Sequence, residues 1–331
     1  MTPPAFSGTL PVRRIATVGF TVADLDRAVG FFTRVLAFTK VFDVTVAGAT
    51  YARLTGVARA RLRVARLQLG DAIIELTQYL ASIEGKPMPI DSRGNDRWFQ
   101  HLSIIVRDID AAYAHLERHG VRHVSPQPQR LPDSIKGAEG IRSFYFRDPD
   151  GHFLELLQYP PDKGDAQWHA LPDPANPLGR LFLGVDHTAI VVRDTDVSLR
   201  FYRDTLGMTV RGQTFNEGIE QSRLTGVPGA RIRITSLRFP TGMGVELLDY
   251  REPPDGRPAP AKMRANDLAH AQIRLVMPDV GRALRYARDH ALPVVSDVSD
   301  DGEALPVHEL GFSRAVLVRD PDGHGIELAA F

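Results

Sequence analysis

The sequence repeats itself, and that constrains its fold more than any other feature. Ala52-Arg-Leu-Thr-Gly-Val57 recurs as Ser222-Arg-Leu-Thr-Gly-Val227, and Arg147-Asp-Pro-Asp-Gly-His152 recurs as Arg319-Asp-Pro-Asp-Gly-His324. The offsets, 227 − 57 = 170 and 319 − 147 = 172, nearly agree. A third match at offset 170 pairs Val22–Phe32 with Val192–Tyr202. Such self-similarity means duplicated structural units, which must be identified before any fold is inferred. Two halves follow, residues 12–160 and 181–331, joined by a proline-rich segment at 161–180 with no hydrophobic period, which reads as a linker.

Each half divides again. Ser103-Ile-Ile-Val-Arg-Asp-Ile-Asp, Ile190-Val-Val-Arg-Asp-Thr-Asp and Ile273-Arg-Leu-Val-Met-Pro-Asp-Val each open a strand, an acidic turn and a helix. In each turn an Asp is placed to accept the unpaired N–H groups of the helix that follows. Short β-rich runs come after each helix, such as Arg61–Leu69 and then Ala72–Tyr79. The pattern predicts an α+β chain of four βαβββ modules, at about 12–80, 98–160, 183–250 and 267–331.

Composition removes several function classes. The 331 residues contain no cysteine, which excludes disulfides, thiolate metal sites and cysteine nucleophiles. Forty basic residues balance forty acidic ones, so no basic excess points to nucleic acid. No apolar run approaches the roughly 20 residues of a membrane span. The opening residues, Met1-Thr-Pro-Pro-Ala-Phe-Ser-Gly, lack the basic and apolar regions of a signal peptide. The expectation is a cytoplasmic protein that works on a small molecule, without nucleic-acid or membrane partners.

Four short apolar strands carry a single acid or histidine at matching module positions. In the second half these are His187, Glu246, His270 and Glu327. Side chains alternate faces along a strand, so each polar residue points opposite to its apolar neighbours. Buried carboxylates are costly unless compensated. A divalent cation would supply the compensation, and imidazole and carboxylate ligands suit zinc, nickel, iron, manganese or cobalt. The Asp-Pro-Asp-Gly turns are explained by turn geometry alone.

With these motifs together, the chain resembles a tandem member of the vicinal oxygen chelate superfamily, which includes glyoxalase I, epimerases, bleomycin-resistance proteins and extradiol dioxygenases. The resemblance rests on the Asp-Pro-Asp-Gly-His turn before a Glu-bearing last strand. It rests also on His187-Thr-Ala-Ile-Val-Val192 followed by an acidic turn and Phe201-Tyr-Arg-Asp-Thr-Leu-Gly207. It implies two tandem glyoxalase-like domains with curled sheets. It also implies one divalent metal per chain in a cup built by two paired modules, held in the second half by His187, Glu246, His270 and Glu327.

The first half departs from the pattern. His187 aligns with Thr17, while Glu75, His101 and Glu155 align with the other three ligands. The expectation is a degenerate first-half site and a working second-half site, completed within one chain that is monomeric or homodimeric. Gln272 and Arg274 share a strand face with His270, and Tyr250 shares one with Glu246, which makes them candidate substrate contacts. The implied activity is that of an isomerase or lyase acting on a small oxygenated metabolite. The metal would stabilise an enolate oxygen, and Glu246 or Glu327 would be the base. Two alternatives stay open: an iron(II) extradiol dioxygenase using His187, His270 and Glu327, and a non-catalytic binding protein of the bleomycin-resistance type.

Overall fold

The structure is a computed structural model that describes residues 10–81, 84–169, 181–298 and 304–331. The expected linker falls largely outside these residues, as do the opening residues. Four βαβββ-type modules are present. The first contributes strands Arg14–Thr21, Thr39–Ala47, Arg61–Leu69 and Ala72–Ala81, with a helix at Leu25–Arg34 after the first strand. The third repeats this as Phe182–Val191, Thr209–Asn216, Arg231–Arg238 and Gly244–Glu252. In every module the first and last strands pair in parallel, as Val18 with Ile74 or His187 with Gly244.

The helix after each module's first strand starts at an aspartate. The side chains of Asp24, Asp108, Asp194 and Asp279 accept backbone N–H groups two or three residues ahead. These N–H groups have no partner inside the helix, so the cap holds both the start of the helix and its register against the preceding strand.

The sheets do not follow the two halves of the sequence. Module one joins module four through antiparallel pairing of Arg14–Thr21 with Ala271–Val276, giving an eight-stranded sheet. Module two joins module three through Gln100–Val106 and Phe182–Val191, giving a nine-stranded sheet. Each curled sheet therefore takes one module from each half, and the chain has a 1–4 cup and a 2–3 cup. The reason is visible in the seams: the first strands of the paired modules are buried along most of their length and cover each other there. One continuous core, from Leu25 and Phe32 through Leu116 to Leu284, lies under both sheets.

The Asp-Pro-Asp-Gly-His turns tie the cups together. Asp148 and Asp320 accept N–H groups from within their own turns. His152 then reaches the Leu268 carbonyl at 2.8 Å, and His324 reaches the Val191 carbonyl at 2.8 Å. Among the described residues no helix is long and apolar enough to cross a membrane.

Candidate metal centre

His187 enters the 2–3 cup at a bulge. Val185 pairs with Ile104 and His187 with Ser103, so Asp186 is an extra, unopposed residue. A bulge of this kind re-aims a side chain next to a site. Here it buries Asp186 and His187 side by side, and Asp186 Oδ2 lies 2.9 Å from His187 Nδ1. Arg238 completes the triad by donating to Asp186. With Nδ1 engaged, Nε2 is left facing the cup.

Three more side chains meet it there. His101 comes from strand Gln100–Val106, Glu155 from Phe153–Gln158 and Glu246 from Gly244–Glu252. His101 Nε2 is 3.2 Å from Glu155 Oε2, and His187 Nε2 is 3.7 Å from the same oxygen and 3.4 Å from Glu246 Oε2. His101 Nε2, Glu155 Oε2 and His187 Nε2 are buried without an aligned hydrogen bond. These three residues converge as a group able to hold a metal ion. Ligands about 2.0–2.2 Å from a common ion stand about 3.0–3.4 Å apart. The donor types and orphaned atoms of these three residues fit a divalent cation with only small side-chain shifts, and Glu246 lies beside them.

The electrostatics agree. Burial opposes a charge on His187, but Glu246, Asp186 and Glu155 outweigh it and raise its pKa to about 9. Burial likewise opposes charge on Glu155, yet His101, His187 and a hydrogen bond from Ser143 hold it below the usual carboxylate range. The three carboxylates thus draw a proton onto the imidazole, and a bound cation would displace that proton. The cup opens into a cavity of about 350 Å³, lined in part by Tyr145, Tyr159, Ser236 and Leu248.

The 1–4 cup has the opposite character. The guanidinium of Arg274, only 1% exposed, occupies its centre. Its Nη1 and Nη2 donate to the two oxygens of Glu75 at 2.6 and 2.7 Å, and its Nε donates to Glu327 at 2.8 Å. Gln272 also donates to Glu327, at 2.7 Å, and Arg66 to Glu75, at 2.9 Å. The remaining void is about 30 Å³, room for about one water. A fixed cation stands where the sister cup has its converging ligand atoms.

These placements correct the expected ligand set. His187, Glu246, His270 and Glu327 do not form one centre, because the first two line the 2–3 cup and the last two the 1–4 cup. Glu75 also lies in the 1–4 cup, whereas His101 and Glu155, expected to be degenerate equivalents, complete the 2–3 cup. The strand register explains part of the error. Ser103 pairs with Glu155, and Arg274 pairs with Glu327 in the same way. The counterpart of His101 is therefore Gln272, not His270. His270 sits before the strand and is kept neutral by burial and by Arg319, with a pKa near 3. Gln272 and Arg274 bind protein carboxylates. Tyr250 lies in the apolar wall beyond Leu248 and does not line the cavity.

A sequence profile described as "Glyoxalase/Bleomycin resistance protein/Dioxygenase superfamily" matches residues 14–156 and 184–328. The chain belongs to this superfamily. Among its curated superfamily relatives, a 2-epi-5-epi-valiolone epimerase from Actinomyces sp is 37% identical over 166 residues, covering 48% of this chain and 85% of that one. A lactoylglutathione lyase from Schizosaccharomyces pombe is 28% identical over 196 residues, 57% of each chain. Among solved structures, glyoxalase I from Zea mays shares the fold with a TM-score of 0.58 at 16% identity, covering 96% of this chain and 92% of that one. A putative dioxygenase from Bacillus subtilis shares it with a TM-score of 0.56 at 15% identity, covering 97% and 86%. Two copies of the superfamily's domain thus lie in tandem, at residues 14–156 and 184–328, and the epimerase and the lyase named above are enzymes.

Proposed function

We propose that the chain is a metal-dependent isomerase or epimerase that works in the 2–3 cup on a small oxygenated metabolite. The observation that carries this reading is the convergence of His101, Glu155 and His187, with ligand atoms unpartnered, on a cavity of about 350 Å³. The kinship with an epimerase and a lactoylglutathione lyase supports the same reaction type. His101, Glu155, His187 and Glu246 would hold the ion, and Asp186 with Arg238 keeps the His187 ring oriented. When bound, a divalent ion supplies Lewis-acid stabilisation of the oxyanion that develops beside a carbon losing its proton.

Glu246 would move that proton, as the carboxylate freer to leave the ion. Its side chain is 22% exposed, whereas that of Glu155 is 6% exposed and tied to Ser143. Glu327, the other base considered from sequence, is committed to Arg274 and Gln272 and lies outside this cup.

Solvent-exchange NMR tests the reading. The metal-loaded protein in D2O should place deuterium on the carbon beside the carbonyl of a hydroxyketone. Glu246→Gln should slow exchange by about 100-fold or more, the usual worth of a positioned base. Exchange no faster than in buffer, across a panel of hydroxyketones and dicarbonyls, would count against it.

A further inference from the structure

The two cups differ in their walls as well as in their centres, and the difference bears on what the 2–3 cup accepts. Asn216 ends strand Thr209–Asn216, and Gln221 sits on helix Ile219–Thr225 directly after it. Both line the cavity, at 3% and 1% exposure. Asn216 Nδ2 donates to Gln221 Oε1 at 3.1 Å, which leaves Asn216 Oδ1 buried and unpartnered. At the same module positions the 1–4 cup has Val46 and Tyr51, with Tyr51 bonded to Glu309. The amide pair thus occurs only in the cup that has the open ligand set.

A second contrast concerns charge. The arginines that fill the 1–4 cup, Arg66 and Arg274, correspond to Ser236 and Ser103 in the 2–3 cup. Arg211, which is exposed, is the only arginine or lysine among the described residues lining the cavity. Glu155 and Glu246 together with a divalent ion sum to zero, so apart from the exposed Arg211 the site has no fixed positive charge left for an anionic substrate. The wall offers hydroxyls and amides instead: Ser236, Tyr145, Tyr159, Asn216 and Gln221.

From these contrasts we infer that Asn216, oriented by Gln221, accepts a hydrogen bond from a substrate hydroxyl, and that the substrate is a neutral, polyhydroxylated carbonyl compound. The inference rests on the metal-centre reading above and specifies its substrate class. A buried acceptor left unpaired disfavours an analogue that lacks the matching hydroxyl, and such sites discriminate strongly.

The test uses the metal-loaded full chain and two probes: 2-keto-myo-inositol, a neutral polyhydroxylated ring ketone, and 2-hydroxycyclohexanone, which keeps only the ketol. Binding is measured by calorimetry, and metal content is measured on every sample. Wild type should favour the polyol by at least about tenfold, the loss expected for one unpaired buried group. Asn216→Val, which copies the sister cup, should remove that preference while metal content and thermal unfolding stay as in wild type. Gln221→Leu should weaken polyol binding in the same direction by releasing Asn216. A preference for S-lactoylglutathione, or a polyol preference that survives both substitutions in metal-replete protein, would overturn the inference alone. Wild type that takes up no metal would bring down the metal-centre reading and the inference with it.

Discussion

Glu75 and Glu327 are buried carboxylates with the same guanidinium between them, and that single side chain decides what their cup can be. Removing one member of a buried ion cluster leaves an uncompensated charge and typically costs about 3–5 kcal/mol. Arg274→Ala should therefore lower the unfolding free energy by about that amount in chemical denaturation, without touching the metal of the other cup. The pH dependence has a definite sign. Burial alone would raise the pKa of Glu75, but Arg274 and Arg66 outweigh it and hold it below its ordinary value. A depressed folded pKa gives stability that is present above the unfolded carboxylate value and is lost as pH falls through the folded one. Acid titration of the thermal midpoint should show this loss, and Glu75→Gln should flatten it. In the 2–3 cup, Asp186→Asn should cut metal affinity by about 10–100-fold, measured by competition with a chelator, because it loosens the ring of His187.

At the scale of elements, the first strands and their aspartate caps do most of the positioning. Asp108 and Asp279 begin equivalent helices 279 − 108 = 171 residues apart. Counting back from these caps pairs His101 with Gln272, so the signal that corrects the His270 assignment was already in the sequence. Matching by residue type concealed it, because a histidine happens to stand two positions away. The bulge at Asp186 left no comparable mark, since an unopposed residue depends on the partner strand as well as its own. Asp108→Ala should cost about 1 kcal/mol through the lost cap, read by denaturation, with metal stoichiometry unchanged.

For the whole molecule, the repeat and the four modules were legible, because each depends on local pattern. Module pairing was not, because strand seams between distant segments depend on which apolar faces meet after folding. A test of completeness could have found it. Pairing within halves gives two incomplete sets, Thr17-Glu75-His101-Glu155 and His187-Glu246-Gln272-Glu327. Pairing module two with module three gives one complete set of two histidines and two glutamates. Because that set spans both halves, neither half alone should hold metal tightly, and mixing separately purified halves should restore binding; equilibrium dialysis would show it.

Metal stoichiometry decides whether one metal site is shared between the two halves. Wild type, His101→Ala, His187→Ala and His270→Ala would be purified alike and assayed for bound metal per chain. Wild type should hold about one ion per chain, lost in both His101→Ala and His187→Ala and kept in His270→Ala, as expected when direct ligands set affinity. Two tightly held ions in wild type, or an ion lost with His270 and kept without His101, would contradict it.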